Sequence, residues 1–580
     1  MKTNYTREKN AQVVIALLKE HGIRYVIASP GNTNTALVCS IQNDTYFEVF
    51  SSVDERSAAY IACGLSAETG EPVVISCTGA TASRNYLPGM TEAFYRKLPV
   101  LSITSSQILS KVGHHSPQLI DRSVLPKDVA MLSVALPVVK DDDDLWECEV
   151  KVNQAILALK HRGGGPVHIN LPTTYAMPYD VKKLPKFRVI DRITVTDTFP
   201  KLSGKVAVFI GAHKVWTQEE THALDQFCEA NNAVVFCDHT SGYTGKFRLL
   251  YSLASGQELH DFSEDRPDTL IHIGEITGDY FNFGISAKAE VWRVSEDGEI
   301  RDSFRKLRNV FEMPEKEFFF HYAQKGQSTR NNNFASCKRK LNEIREKIPE
   351  IPFSNVWIAS KMAHKIPGGS TIHFGILNSL RAWNFFDLPP SVSSESNVGG
   401  FGIDGGLSSL VGASFANKEK LYYMVTGDLA FFYDMNVVGN RHIGKNLRIL
   451  LINNGRGTEF RNYNHYAAQF GEDADEFVAA AGHFANKSRD LVKHYAEDLG
   501  FEYFSASNKQ EFESAYERFL APAGTGKSMI FEVFTDSVNE SEALQAVLNI
   551  EENPKARTKQ IAKQLLGEKG IKTLRRVLRD

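Results

Sequence analysis

GDLAFFYDMNVVGNRHIGKNLRILLINNGRGTEF, residues 427–460, sets an aspartate directly after one apolar run and two asparagines directly after another. The preceding LYYMVT and the internal LRILLI read as strands buried on both faces, being short, apolar and continuous. FFYDMNVVGNRHI between them reads as a crossover helix, which brings both strand ends out on one side of a parallel sheet. Asp428 and Asn453-Asn454 then share the carboxyl edge, where α/β sheets take their ligands. Carboxylate, amide carbonyl and backbone carbonyl are hard oxygen donors suited to Mg²⁺ or Ca²⁺, and Mg²⁺ completes its shell from substrate phosphates. The helix start that follows adds N–H donors for those phosphates. The stretch predicts a Mg²⁺-diphosphate clasp; the alternative is two loops that merely share a sheet edge.

The same rhythm of helix pattern and short β-rich runs fills the rest of the chain, so the fold class is α/β with parallel sheets. RYVIASP, EPVVISCT, LPVLSITS and GPVHINLP mark a first block, and a Lys/Pro/Asp-rich connector follows Pro178. KVAVFIGAH, NAVVFCDH, DTLIHIGE and AEVWRVS mark a second, and STIHFGI, KLYYMVTGD, LRILLINNG and SMIFEVFTD a third. The expectation is three doubly wound parallel-sheet domains over 1–180, 181–345 and 346–545, then a basic helical tail over 546–580. The last 30 residues carry nine Lys or Arg against four Asp or Glu, which reads as a solvated amphipathic helix or a partner-binding lid.

Composition excludes several classes. At 580 residues, with 42% apolar and 23% charged side chains, the chain is an ordinary soluble globular protein of several domains. A net charge of −3 gives no nucleic-acid footprint, and no apolar run approaches a membrane span. MKTNYTREKN lacks an apolar h-region, and the seven scattered cysteines form no CxxC pair. A reducing cytoplasm is the expected home. APAGTGKS at 521–528 imitates a P-loop, but Ala521 replaces the first glycine. The order there is helix then strand, the reverse of what phosphate binding at a helix N-terminus needs, so an ATPase reading is rejected.

The clasp, with SSVDERSAAYIACGLS around Glu55, resembles the thiamin diphosphate-dependent decarboxylase and acetolactate synthase superfamily. That resemblance implies pyrimidine-binding, middle and diphosphate-binding domains, with thiamin diphosphate and Mg²⁺ as cofactors. It implies Asp428, Asn454 and the carbonyl of Arg456 as metal ligands. Pro30, Gly31, Ser379, Gly427, Leu429 and Ala430 would line the cofactor, and Ile403 would be the apolar fulcrum beneath it. Glu55 matches the glutamate that shares a proton with the aminopyrimidine ring, the role in which a partly desolvated carboxyl is effective. Within the superfamily SPG, DERSAAYIACGLS, GPVHINLP, HFGILNSL, SNVGGFGIDGGLSS and GDLAFFYDMN resemble the synthases of menaquinone biosynthesis. No flavin-specific feature is evident in the middle block.

Those synthases hold polycarboxylate substrates with arginines, since a guanidinium fork matches a carboxylate. The corresponding positions here read as Thr33, Gln107, Trp383 and Val398, none of them arginine, with Arg381 as a neighbouring replacement. Asn32, Asn34, Gln107, Gln118, Arg381 and Trp383 are therefore the candidate substrate contacts. His114-His115 resembles the adjacent pair that moves protons in pyruvate decarboxylase-like relatives, although Asn32 stands where those carry an acid. Glu459, just past the clasp, is a further candidate acid/base. The resemblance implies decarboxylation of a 2-oxo acid with transfer of the acyl carbanion to an acceptor carbonyl, in a homodimer or homotetramer. Release of an aldehyde, or a non-catalytic cofactor-binding protein, are the alternatives.

Overall fold

The structure is a computed structural model that describes residues 4–122, 124–260, 265–326, 331–483, 487–521 and 526–551. The basic tail from 552 onward lies outside the described residues. Within them the chain forms two compact units, Met1–Asp197 with Asp297–Glu312, and Thr198–Glu296 with Met313–Asp580.

In the first unit β1 (Tyr25–Ala28), β2 (Glu48–Ser51), β3 (Val73–Cys77), β4 (Val100–Ser106), β5 (Leu132–Ala135) and β6 (Val167–Pro172) form one sheet in the order β2-β1-β3-β4-β6-β5. Every pairing in it is parallel. Alternation along the strands explains the two layers of helix. Val26, Val74, Leu101 and Ile103 join the core beneath helices Lys9–Glu20 and Asp142–Ala158. Ile27, Val73, Ile75 and Val100 face the other way, towards helices Glu55–Thr69 and Leu87–Arg96. The unit also carries a parallel pair of β7 (Asp191–Thr194) and β13 (Leu307–Glu312), which is how 297–312 belongs to it.

The second unit contains β8 (Val206–Ile210), β9 (Val234–Cys237), β10 (Arg248–Leu250), β11 (Thr269–Ile273) and β12 (Glu290–Ser295), running in parallel as β10-β9-β8-β11-β12. It also holds β14 (Thr371–Phe374), β15 (Ser393–Ser396), β16 (Tyr422–Gly427), β17 (Leu447–Asn453), β18 (Glu502–Ala506) and β19 (Met529–Phe534), ordered β15-β14-β16-β17-β19-β18. That order repeats the first sheet's strand for strand, and all its pairings are parallel. Leu407, Met424, Phe431, Leu447, Ile449 and Ile530 build the core on one face. Trp357 meets Phe512 edge-on and Phe512 stacks on Phe531, with ring centroids 5.7 and 5.2 Å apart. The doubly wound parallel α/β class read from the sequence is the one the chain adopts. Helix Lys509–Leu520 precedes β19, so the order across 521–528 is helix then strand.

Candidate cofactor site and its two halves

Asp428 and Asn454 sit where the order of the third sheet reverses, between β14 and β16 and the strand beside them, the crevice in which open α/β sheets bind ligands. Register places Gly427 opposite Ile452, so Asp428 and Asn453-Asn454 emerge side by side. A helix, Asp428–Asp434, starts at Asp428 itself, and a Cβ added to Gly427 would meet nothing within 4 Å. Leu429 and Ala430 are half-buried on its first turn, Ser379 is buried after β14, and Ile403 is half-buried before helix Gly406–Ser414. Asp434 fixes that last helix by accepting from the Ser408 N–H and Oγ, both at 2.6 Å. Leu377, a non-glycine residue at φ +63°, opens helix Asn378–Trp383 beside the crevice; such conformations are costly and collect at ligand sites.

The two asparagines divide their work. Asn453 belongs to β17 and donates to Glu532 Oε1 at 2.6 Å, whose other oxygen accepts from Tyr503 at 2.8 Å. Asn454 instead has a buried Oδ1 with no hydrogen-bond partner. Beside it, burial pushes the Asp428 carboxyl up to about 7, despite backbone N–H donors from Leu429 and Gly455. A desolvated carboxylate and an orphaned carbonyl oxygen at one sheet edge are what a hard divalent cation would satisfy. The residues present therefore fit Mg²⁺ with thiamin diphosphate. Among the described residues no cluster of three or more His, Cys, Asp or Glu is placed to hold a metal. Arg456 donates to Asp475 at 2.5 Å, and Asp475 lies 3.5 Å from Arg461, which braces the loop carrying the Arg456 carbonyl.

Arg381 and Glu459, both singled out from sequence, meet here. Arg381 Nη1 lies 3.1 and 2.8 Å from the two Glu459 oxygens, and the pair is largely buried. With its amide oriented to match, Asn378 donates to Glu459 Oε2 at 2.8 Å and accepts from the Glu459 N–H at 3.0 Å. Asn462 adds a 3.3 Å contact to the same carboxylate. Sequence reasoning passed over Asn378, Asn462, Asp434 and Asp475. HFGILNSL held the only signal for Asn378, a polar residue in the turn four positions past a buried strand.

The other residues expected at the cofactor lie in the first unit. Asp54 caps helix Glu55–Thr69 by accepting from Arg56 N, and Ser57 Oγ, at 3.1 Å, is the leading cause that holds its carboxyl below the usual range. The triplet Asp54-Glu55-Arg56 thus resolves into a cap, a half-buried carboxylate and an exposed cation. Glu55 Oε2 accepts from Asn85 Nδ2 at 3.2 Å. Pro30, Gly31 and Asn32 are exposed in the turn after β1. A Cβ on Gly31 would come within 2.4 Å of Thr78 Cβ, so that turn packs only with glycine.

The remaining expected contacts fall in different settings. Thr33 is buried, bonding Thr78 Oγ1 at 2.6 Å and the Ser105 carbonyl at 2.9 Å, and so ties three strand ends together. Asn34 is buried and donates to the Ser29 carbonyl at 2.9 Å. Gln107 is half-buried and accepts from Lys111 Nζ at 3.0 Å. Gln118, His114 and His115 are exposed along one loop, in which His115 and Gln118 have φ of +54° and +60°. Val398 is buried. Trp383 is fully buried, donates to Asn355 Oδ1 at 3.1 Å and packs on Phe374, so it belongs to the core and presents no face to a substrate.

Residues 8–125 match the family model described as thiamine pyrophosphate enzyme, N-terminal TPP binding domain. The chain is similar to the 2-succinyl-5-enolpyruvyl-6-hydroxy-3-cyclohexene-1-carboxylate synthase of Phocaeicola vulgatus, 29% identical over 559 residues, covering 93% of this chain and 98% of that one. The enzyme of the same name from Bacteroides fragilis is 28% identical over 566 residues, and that from Flavobacterium johnsoniae 26% over 569, each with 93% and 98% coverage.

Proposed function

We propose, from the premise that this chain belongs to the thiamin diphosphate-dependent decarboxylase and acetolactate synthase superfamily, that it decarboxylates a 2-oxo acid and joins the resulting acyl unit to an acceptor carbonyl. The observation that carries the reading is the orphaned Asn454 Oδ1 beside the desolvated Asp428 at the shared end of β16 and β17. When bound, thiamin diphosphate supplies a nucleophilic carbon and an electron sink, so that the 2-oxo acid's C1–C2 bond breaks with loss of CO₂. Asp428, Asn454 and the Arg456 carbonyl would hold the metal that fixes the diphosphate, and Ser379, Leu429 and Ala430 would line that end. Glu55 would hold a proton against the aminopyrimidine, steered by Asn85.

The relatives are named for their product, a substituted cyclohexene carboxylate. The arginines expected for so acidic a substrate are absent here, and Arg381 is already paired with Glu459. We infer a less acidic acceptor, met by Asn32, Gln107, Gln118 and the His114-His115 pair. Glu55 and the clasp lie in separate compact units. Val53, Tyr60 and Ile61 are exposed around Glu55. Both facts support a homodimer or homotetramer in which one chain's Glu55 serves another chain's clasp. Among the described residues no helix is long and apolar enough to cross a membrane, and a cytoplasmic location suits the unpaired cysteines.

The test is incubation of the purified chain with thiamin diphosphate, Mg²⁺ and a panel of 2-oxo acids, with and without aldehyde or ketone acceptors. CO₂ release with a carbon–carbon product is expected. Aldehyde alone would replace carboligation with simple decarboxylation, and no CO₂ from any acid would overturn the catalytic reading.

A further inference from the structure

The first unit buries a cation without a counter-charge. Arg122 is 7% exposed, and its Nη2 donates to Asn170 Oδ1. Its Nε and Nη1 have no hydrogen-bond partner. Among the described residues the ionisable groups that act on it are Cys77 and Arg84, and no carboxylate does so. Burial pushes the Cys77 thiol up to about 12, so it stays neutral, and Arg84 is a second positive charge. Arg122 itself is pushed down to about 10 by burial. An unpaired buried charge is among the costliest features a core can hold.

The surroundings are built for a polar guest. Ser102 and Thr104 of β4 lie opposite His168 and Asn170 of β6 in the parallel register, a polar stripe within an otherwise apolar layer. His168 cannot supply the missing charge. Its ring nitrogens are taken by Thr104 Oγ1 at 2.6 Å and Ser133 Oγ at 2.8 Å, and burial holds it near 3, hence neutral. Beside Arg122 is a cavity of about 20 Å³, lined by Arg84, Ser83, Ser102 and Thr104 over Leu87 and Met90. So small a space suits one compact guest. Water would fill the space but leave the guanidinium uncompensated.

We propose that this cavity is a binding site for one small monovalent inorganic anion of halide size, held by the free N–H groups of Arg122 with Arg84 at its rim. The proposal does not rest on the proposed reaction. Arg122 follows Gln118 by four residues, and Nη1 would lie 3.8 Å from a Cβ on Gly79, against which the Gln118 carbonyl packs. An anion there steadies the loop that carries Gln118.

The experiment is thermal unfolding of the full chain in sodium gluconate, with chloride or bromide substituted at constant ionic strength, beside a bromide-soaked crystal read by anomalous scattering. The expected result is a saturable rise of about 2–4 °C in the midpoint, absent in Arg122→Gln, with one bromide peak at Arg122 Nε and Nη1. Arg84→Gln, at an exposed position, should raise the half-saturating halide concentration several-fold and serves if Arg122→Gln does not fold. A halide response equal in wild type and Arg122→Gln, or a cavity without anomalous signal at saturating bromide, would overturn the proposal.

Discussion

Arg381 and Glu459 neutralise each other across the second unit, with Nη1 at 2.8 Å from Oε2 and side-chain exposures of 14% and 18%. Each residue alone is a plausible chemical group for the site, a carboxylate receptor or a proton carrier. Paired, they hold Asn378 and Asn462 in place and stabilise the turn after β14 and the loop after β17. Removing one partner leaves a largely buried charge unpaired, at a cost of about 3 kcal/mol, whereas removing both costs less than the sum. Denaturant unfolding of Arg381→Met, Glu459→Gln and the double variant measures this. Single costs that simply add would show the pair is not coupled.

Asn453 and Asn454 separate by readout. Asn454→Ala should weaken thiamin diphosphate binding in Mg²⁺ by about tenfold or more while leaving the unfolding midpoint nearly unchanged, because it removes only an unpartnered acceptor. Asn453→Ala should do the reverse, costing about 1–3 kcal/mol of stability by stripping Glu532 of a donor. Calorimetric titration with and without chelator reads the first, and equal losses of cofactor affinity would show that both asparagines hold the ligand.

These cases mark what was legible in the sequence. The shared strand edge that carries Asp428 and Asn454 was readable because continuous apolar strands fix where a strand ends. Glu55 could be singled out within its charged triplet only through resemblance, since burial and the Asn85 contact depend on a helix packed elsewhere. The positions matched to arginines show the limit. Alignment gives a place in the chain, while the direction a side chain faces comes from tertiary packing, which turned Thr33, Val398 and Trp383 inward. The Arg381–Glu459 pair spans 78 residues, and no local pattern announces it. The compact units were hidden for the same reason, because the return of 297–312 to the first unit rests on pairing with β7.

Glu540 makes stability pH-dependent. It is buried, accepts from the Asn355 N–H at 3.0 and 3.1 Å and from Thr535 Oγ1 at 2.7 Å, and burial pushes it up to about 7. The folded chain therefore holds this proton where the unfolded chain, near 4.5, has lost it. Its contribution to stability is full below about pH 4.5 and is lost as pH rises towards 7, a change on the order of 3 kcal/mol. Glu540→Gln should flatten that slope in unfolding free energies measured between pH 5 and 7. An unchanged slope would assign the dependence to other groups.

Glu55 and Asn85 supply the last prediction. Glu55→Gln preserves shape and the neighbouring cap at Asp54 but cannot exchange a proton with the aminopyrimidine. It should lower the rate of CO₂ release by about 10²-fold or more, within the range general acid–base groups contribute, with thiamin diphosphate affinity in Mg²⁺ largely kept. Asn85→Ala removes only the 3.2 Å contact that orients the carboxylate. It should produce a smaller loss in the rate of CO₂ release, because the carboxylate is then held less well in its orientation. If Glu55→Gln leaves the rate unchanged while Asp428→Ala abolishes cofactor binding, the proton must be handled by another group, and the exposed His114-His115 pair becomes the next residues to replace.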